Sequence, residues 1–231
     1  MHHAKVIEEL SLRNRTFVFK GRDEAGTRLA ERLLEYRNEE PLVLAIPSGG
    51  TPVGFAVSQR LEASFDCIVS RKIPLPYTRK AGFGAVTWDN IVILNEELIA
   101  TLRITREQVE EGLAIAKKEQ EERTRFLRGG RLIPDAKGRC VILVDDGLAS
   151  GSTMIAAVTF VRRHEAGRVV VVVPTGSMHS VTRVASYVDE LVCLNIREGF
   201  SFAVADAYVE WHDLDETEVQ NYFDKVQRWA T

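Results

Sequence analysis

Residues 141–153 read Val-Ile-Leu-Val-Asp-Asp-Gly-Leu-Ala-Ser-Gly-Ser-Thr. Four aliphatic residues end in two adjacent carboxylates, Asp145 and Asp146; small residues follow, and Thr153 opens an apolar segment. The pattern predicts a buried strand, an acidic tip and a loop of close-lying backbone amides that feeds a helix. Amides at the positive end of a helix suit a phosphate. Two carboxylates beside a phosphate are repulsive unless they hold a sugar's hydroxyls or a metal ion. The combination points to a sugar phosphate with Mg2+. An ordinary βα turn with a capping Ser or Thr is the plainer alternative.

Working outward, short aliphatic runs alternate with helical spacing. Leu42 to Ile46, between Pro41 and Pro47, reads as a buried strand; Ser48-Gly49-Gly50 is a turn, and Thr51-Pro52 opens a helix to about Leu61. Arg13 to Lys20 reads as a strand, and Asp23 to Tyr36 as a helix with Ala25, Leu29, Ala30, Leu33 and Leu34 at helical spacing. Phe65 to Ser70 is a further strand. Arg71 to Asn90 holds Pro74, Pro76, Gly82 and Gly84 and reads as a long loop or flexible hairpin, with Ile91 to Leu94 strand-like after it. Thr105 and Gln108 fit a capping box that opens a charged helix to about Leu127. Beyond the central stretch come a helix from about Ser152 to Glu165, a strand Arg168 to Val173, a helix Val181 to Tyr187 and a strand Leu191 to Ile196. A last helix, Asp215 to Trp229, starts on a second box at Asp215 and Glu218. Aliphatic strands alternating with helices predict an α/β fold, a parallel sheet with helices on both faces. The expectation is a single domain over residues 1–231 with a small C-terminal cap.

Composition narrows the function classes. The chain has 231 residues, 45% of them hydrophobic, enough for a full core. Thirty basic against 33 acidic residues give a net charge of -3 without a basic cluster, so no nucleic-acid partner is expected. Apolar runs such as Val169 to Pro174 fall short of a membrane span, and Met1 to Leu10 has no apolar signal-peptide region. Cys67, Cys140 and Cys193 read as buried thiols of a reducing compartment, so a cytoplasmic protein is expected. The five histidines lack metal-ligand spacing, and neither a GxxxxGK[ST] loop nor a Gly-x-Ser-x-Gly elbow is present.

In open α/β sheets ligands sit beyond the carboxyl ends of the strands. Three loops are expected there: Ser48 to Thr51, Arg71-Lys72, and Asp145 to Thr153. In the third, Ala149, Ser150, Gly151, Ser152 and Thr153 are small enough for amides to approach phosphate oxygens, each charged hydrogen bond contributing roughly 1.5–3 kcal/mol. The thirteen residues from Val141 to Thr153 resemble the 5-phosphoribosyl 1-pyrophosphate (PRPP) signature of the type I phosphoribosyltransferases. The resemblance implies a 5'-phosphate on residues 149–153. It also implies Asp145 and Asp146 as catalytic residues that hold the ribose hydroxyls, stabilise positive charge at the anomeric carbon and meet Mg2+, directly or through water. Ala45 to Val53 resembles the family's pyrophosphate loop, commonly Pro-Arg-Gly-Gly-x-Pro-Val, with Ser48 where a basic residue is usual; Gly49 and Gly50 would present amides. Read alone, that run is as well a tight turn. Arg71 and Lys72 stand where the family has a basic residue for the leaving pyrophosphate, and are otherwise a solvated strand end.

The resemblance also makes residues 77–87, within a segment of about 74–90, the flexible loop that closes over the site with Arg79 and Lys80; a mobile surface hairpin reads the same. It makes about 192–212 a hood with Phe200 or Phe202 stacking on the acceptor. Asp23-Glu24-Ala25-Gly26, Gly84-Ala85-Val86, Val188-Asp189-Glu190 and Phe202-Ala203-Val204 resemble a subgroup of predicted phosphoribosyltransferases. The implied activity is transfer of 5-phosphoribosyl from Mg-PRPP to a nitrogenous small-molecule acceptor, by family default a nucleobase, and dimers are common in the family. Val169 to Asp213 lacks the lysine of a 6-oxopurine enzyme, and the base loop of a uracil enzyme is absent. The rival readings are a non-catalytic protein that binds PRPP or a nucleotide, toward which Ser48 leans, and a structural subunit with no affinity for PRPP.

Overall fold

The computed structural model describes residues 4–87, 89, 91–128, 134–199 and 201–227. Its strands are β1 (Lys5–Ile7), β2 (Leu42–Ala45), β3 (Ser64–Cys67), β4 (Ser70–Leu75), β5 (Thr78–Thr87), β6 (Val92–Leu94), β7 (Cys140–Val144), β8 (Arg168–Ser177) and β9 (Glu190–Arg197). Its α-helices are α1 (Arg22–Glu31), α2 (Gly50–Leu61), α3 (Glu96–Thr101), α4 (Arg106–Arg128), α5 (Ser152–Arg163), α6 (Met178–Ala185) and α7 (Glu216–Gln227). Six strands form one sheet in the order β1-β9-β8-β7-β2-β3, every pair parallel.

The expected α/β architecture is present, and the burial of each strand on both faces explains it. Val141 and Leu143 of β7 join the apolar cluster under α5 and α6, while Ile142 and Val144 join the one under α1 and α2. A strand buried on both faces needs apolar residues at every position, which is why these runs are continuous rather than alternating. Both expected capping boxes form. Gln108 N–H donates to Thr105 Oγ1 at 3.3 Å and Thr105 N–H to Gln108 Oε1 at 3.0 Å; Asp215 and Glu218 exchange the same bonds at 2.8 and 2.9 Å.

Three expectations are corrected. Arg13 to Lys20 is not a strand, because Asn14 (φ 60°) and Phe17 (φ 52°) take left-handed backbone that no strand accommodates. Residues 71–90 are mostly strand rather than a long loop, and the hairpin alternative holds for β4 and β5: β4-β5-β6 is an antiparallel sheet whose Ile73, Phe83 and Val86 are buried. The Pro and Gly residues that suggest a loop mark irregularities in that sheet. The β4-β5 register shifts on both sides of Pro74, and a Cβ at Gly82 or Gly84 would lie 2.5 Å from a carbonyl of the adjoining strand. The first long helix is shorter than expected, with α1 ending at Glu31 and a 3-10 segment over Leu34–Glu39. Trp229 and Phe200 lie outside the described residues, as does the Lys80 side chain.

Candidate active site

Strands β3, β2 and β7 are neighbours, and the loops that leave their carboxyl ends are tied together. Ile68 N–H donates to Ala45 O at 2.9 Å, and Ile46 N–H to Val144 O at 2.8 Å. The acidic tip leaves the end of β7, beside the β2 loop. Asp145 Oδ1 accepts from the Asp146 N–H at 2.8 Å. Asp146 Oδ2 accepts from Arg22 Nε at 2.9 Å, and the Asp146 carbonyl accepts from the buried Tyr208 hydroxyl at 2.6 Å. Burial raises Asp145 well above the usual carboxylate range, helped by the Asp146 charge; burial also raises Asp146, against the pull of Arg22.

Arg22 is a functional candidate that the sequence reading missed. It opens α1, donates to His212 O at 3.0 Å and lies 3.9 Å from the centre of the Trp211 ring. Thus Asp146 is oriented by a side chain 124 positions earlier, itself held by the C-terminal segment. Gly21-Arg22-Asp23 reads locally only as a helix start.

The small-residue loop ends on Gly151, which takes a left-handed φ of 75° and leads into α5. A Cβ there would also lie 2.8 Å from Val184 of α6, so glycine is required twice over. The first amides of α5 have no intrahelical acceptor and stand at its positive end. From outside the loop, Ser177 and Ser180 donate to Ala149 O, and Arg183 Nη1 donates to Ser150 O at 3.1 Å. These supports were also unforeseen, because they come from a helix some 30 residues downstream.

The Ser48-Gly49-Gly50 loop faces the acidic tip. A Cβ at Gly49 would fall 1.9 Å from Asp146 Oδ2, and one at Gly50 2.6 Å from Val144 O, so neither position admits a side chain. The Pro47–Ser48 peptide is cis. Ser48 Oγ accepts a short hydrogen bond from Arg123 of α4. A cleft of about 460 Å³ is lined by Pro47, Ser70, Arg71, Lys72, Asp145 and Thr153 among others. Arg71, Lys72, Asp145 and Thr153, expected site residues from two of the three expected loops, therefore share one space with Pro47, the neighbour of Ser48 in the third. At its rim Arg79 pairs with Glu119 at 2.9 Å. Ala149, His179, Arg197 and Phe202 line a second cleft, and Arg197 lies 5.1 Å from the Phe202 ring centre. The buried Tyr208 packs on the half-buried Trp211, ring centres 5.3 Å apart.

The family model for the phosphoribosyl transferase domain matches residues 21–208. The chain belongs to the phosphoribosyl transferase domain family. The family is of the glycosyltransferase type. Two Mycobacterium tuberculosis proteins with provisional phosphoribosyl transferase names are 35% identical over 215 residues, 91% of this chain. The chain spans about half, 47%, of the length of these curated relatives. The crystal structure of TT1426 from Thermus thermophilus superposes with a TM-score of 0.73 at 31% identity, over 90% of this chain and 98% of that one. AQ2163 from Aquifex aeolicus, at 13% identity and a TM-score of 0.50, shares the fold alone over 81% of this chain and 78% of that one.

Proposed function

We propose that this phosphoribosyltransferase domain takes Mg2+-bound PRPP as donor, passes 5-phosphoribosyl to a nitrogenous small-molecule acceptor, and releases pyrophosphate. The observation that supports this most is the shared cleft, where Asp145 and Thr153 face Pro47, Arg71 and Lys72. The loop at 149–153 and the α5 amides would hold the 5'-phosphate. Ser48, Gly49, Gly50, Arg71 and Lys72 would hold the pyrophosphate. Asp145 and Asp146 would hold the ribose hydroxyls and stabilise positive charge as the bond from the anomeric carbon to pyrophosphate oxygen breaks and the bond to acceptor nitrogen forms. The leaving group is good, so the protein's part is positioning and electrostatics.

Asp145 and Asp146 fit a hard cation only as part of its shell. Among the described residues no group of three or more His, Cys, Asp or Glu side chains is placed to hold a metal ion by itself. Mg2+ is commonly held by one or two carboxylates plus substrate phosphates, so a metal delivered with the donor suits this pair. Bound there it would neutralise phosphate charge. Asp146 is committed to Arg22, which leaves Asp145 as the better placed ligand. The second cleft, with Phe202 beside Arg197, suits a flat aromatic nitrogen heterocycle. The same reading makes the protein cytoplasmic, compatible with a homodimer, and independent of nucleic acid or membrane.

Pyrophosphate release from PRPP with Mg2+, screened across nucleobases and other nitrogen heterocycles, tests the proposal. Release with any acceptor, lost in Asp145→Asn, supports it. Tight PRPP binding without release from any acceptor would favour the non-catalytic reading, and no binding at all would overturn both.

A further inference from the structure

We propose that Arg123, carried on α4, binds the donor's pyrophosphate and supplies, together with Arg71, the positive charge that the Ser48 loop does not carry. This rests on the donor reading above and extends it to a residue outside the loops. Arg123 is 7% exposed, yet no carboxylate lies within ion-pairing distance of it among the described residues, where its hydrogen-bond partner is Ser48 Oγ. Arg71 has no ion pair among the described residues either, and it lines the cleft beside Lys72. The two arginines repel each other, Glu216 offers Arg123 only partial relief, and burial lowers its basicity to about 10. Two poorly compensated guanidiniums within electrostatic reach of each other are costly, and proteins keep such an arrangement where an anion is to be received.

Unsatisfied polar atoms give an independent indication. Five buried side-chain nitrogen or oxygen atoms lack a hydrogen-bond partner among the described residues; Ser70 Oγ and Arg71 Nε belong to residues that line the cleft, and Arg123 Nε and Thr51 Oγ1 to residues hydrogen-bonded to Ser48. Buried polar groups are satisfied in nearly all cases, so four exceptions shared between the cleft lining and the neighbours of Ser48 point to a polar ligand's place. Pyrophosphate carries many acceptor oxygens, and a guanidinium binds phosphate in a planar, two-pronged fashion. The position of Ser48 acquires a reason. Its small hydroxyl holds the guanidinium that arrives from α4, where a basic side chain would set a second like charge beside it.

Titrations of magnesium pyrophosphate, ribose 5-phosphate and Mg-PRPP into the chain, Arg123→Met and Ser48→Ala test the assignment. Arg123→Met is expected to lose about tenfold or more toward pyrophosphate and PRPP, the worth of a charged hydrogen bond, while ribose 5-phosphate binds as before. Ser48→Ala, at a half-buried position, is expected to lose about threefold toward the same two ligands, as one neutral hydrogen bond would. Unchanged pyrophosphate affinity in a folded Arg123→Met overturns the proposal. If that variant does not fold, unchanged affinity in Ser48→Ala overturns it instead. An equal loss toward all three ligands would make Arg123 a structural strut and also overturn it. Failure of the unmodified chain to bind any of the three strikes the donor reading itself, which separates the two failures.

Discussion

Asp145 is held above the usual carboxylate range by burial and by the Asp146 charge, so its ionised form is better accommodated in the unfolded chain. The sign follows: this group costs stability progressively as pH rises from the ordinary carboxylate value through its raised native one. Asp145→Asn is therefore expected to raise the melting temperature of the ligand-free protein by about 2–4 °C at about pH 8, and by less at about pH 5. The same variant should lose about 10²-fold in turnover if the charge serves the transition state. An equal thermal gain at both pH values would mean that the carboxylate is not strained by ionisation. At Gly151 the expectation is opposite. Gly151→Val forces a β-branched residue to φ 75° against Val184, and should cost about 1–3 kcal/mol together with phosphate affinity, read by denaturant melts and titration. Normal phosphate affinity there would place the phosphate elsewhere. At this scale the sequence was informative where partners are adjacent, as with Asp145, Asp146 and Gly151. Arg22 and Arg123 were illegible because their partners lie 124 and 75 positions away.

Helix boundaries were legible where capping chemistry is local. Thr105 and Gln108 lie three apart and satisfy each other's amides, so spacing alone locates the start of α4. Thr105→Ala is expected to cost about 1 kcal/mol, seen as a shift in the denaturation midpoint with its slope unchanged; no shift would mean that tertiary packing alone holds this end. α4 is longer than a surface helix needs to be: it backs the small sheet through Ala116 and Leu113 and also delivers Arg123 to the Ser48 loop. The β4-β5-β6 sheet is only half legible in the sequence, as a hairpin alternative and a strand-like Ile91 to Leu94, for a physical reason. Proline and glycine usually punctuate loops, but here they serve a register shift and close contacts between strands, and only the pairing of the strands reveals that.

Over the whole molecule, two large apolar clusters sandwich the parallel sheet, and a third, smaller one joins the antiparallel sheet to α3 and α4. The antiparallel sheet shares no strand pairing with the main one among the described residues. Native-state hydrogen exchange should therefore find amides of β5 opening at least about 1 kcal/mol more readily than those of β7, with added protection on donor binding; equal protection would make the two sheets one cooperative unit. The parallel architecture itself was plain from the continuous aliphatic runs, since no other common arrangement buries both faces of so many short strands.

One consequence follows from the pairing of β2 with β7. Ala45 lies opposite Val144, so the two loops that grip opposite ends of the proposed donor leave the sheet at the same level, on strands about 4.8 Å apart. Main-chain hydrogen bonds fix that interval as a frame fixes the jaws of a calliper. Side-chain changes can loosen either jaw but cannot shift it. With the proposed donor that frame would act as a measure: a sugar phosphate whose leaving group lies nearer to or farther from the phosphate would engage one jaw and miss the other.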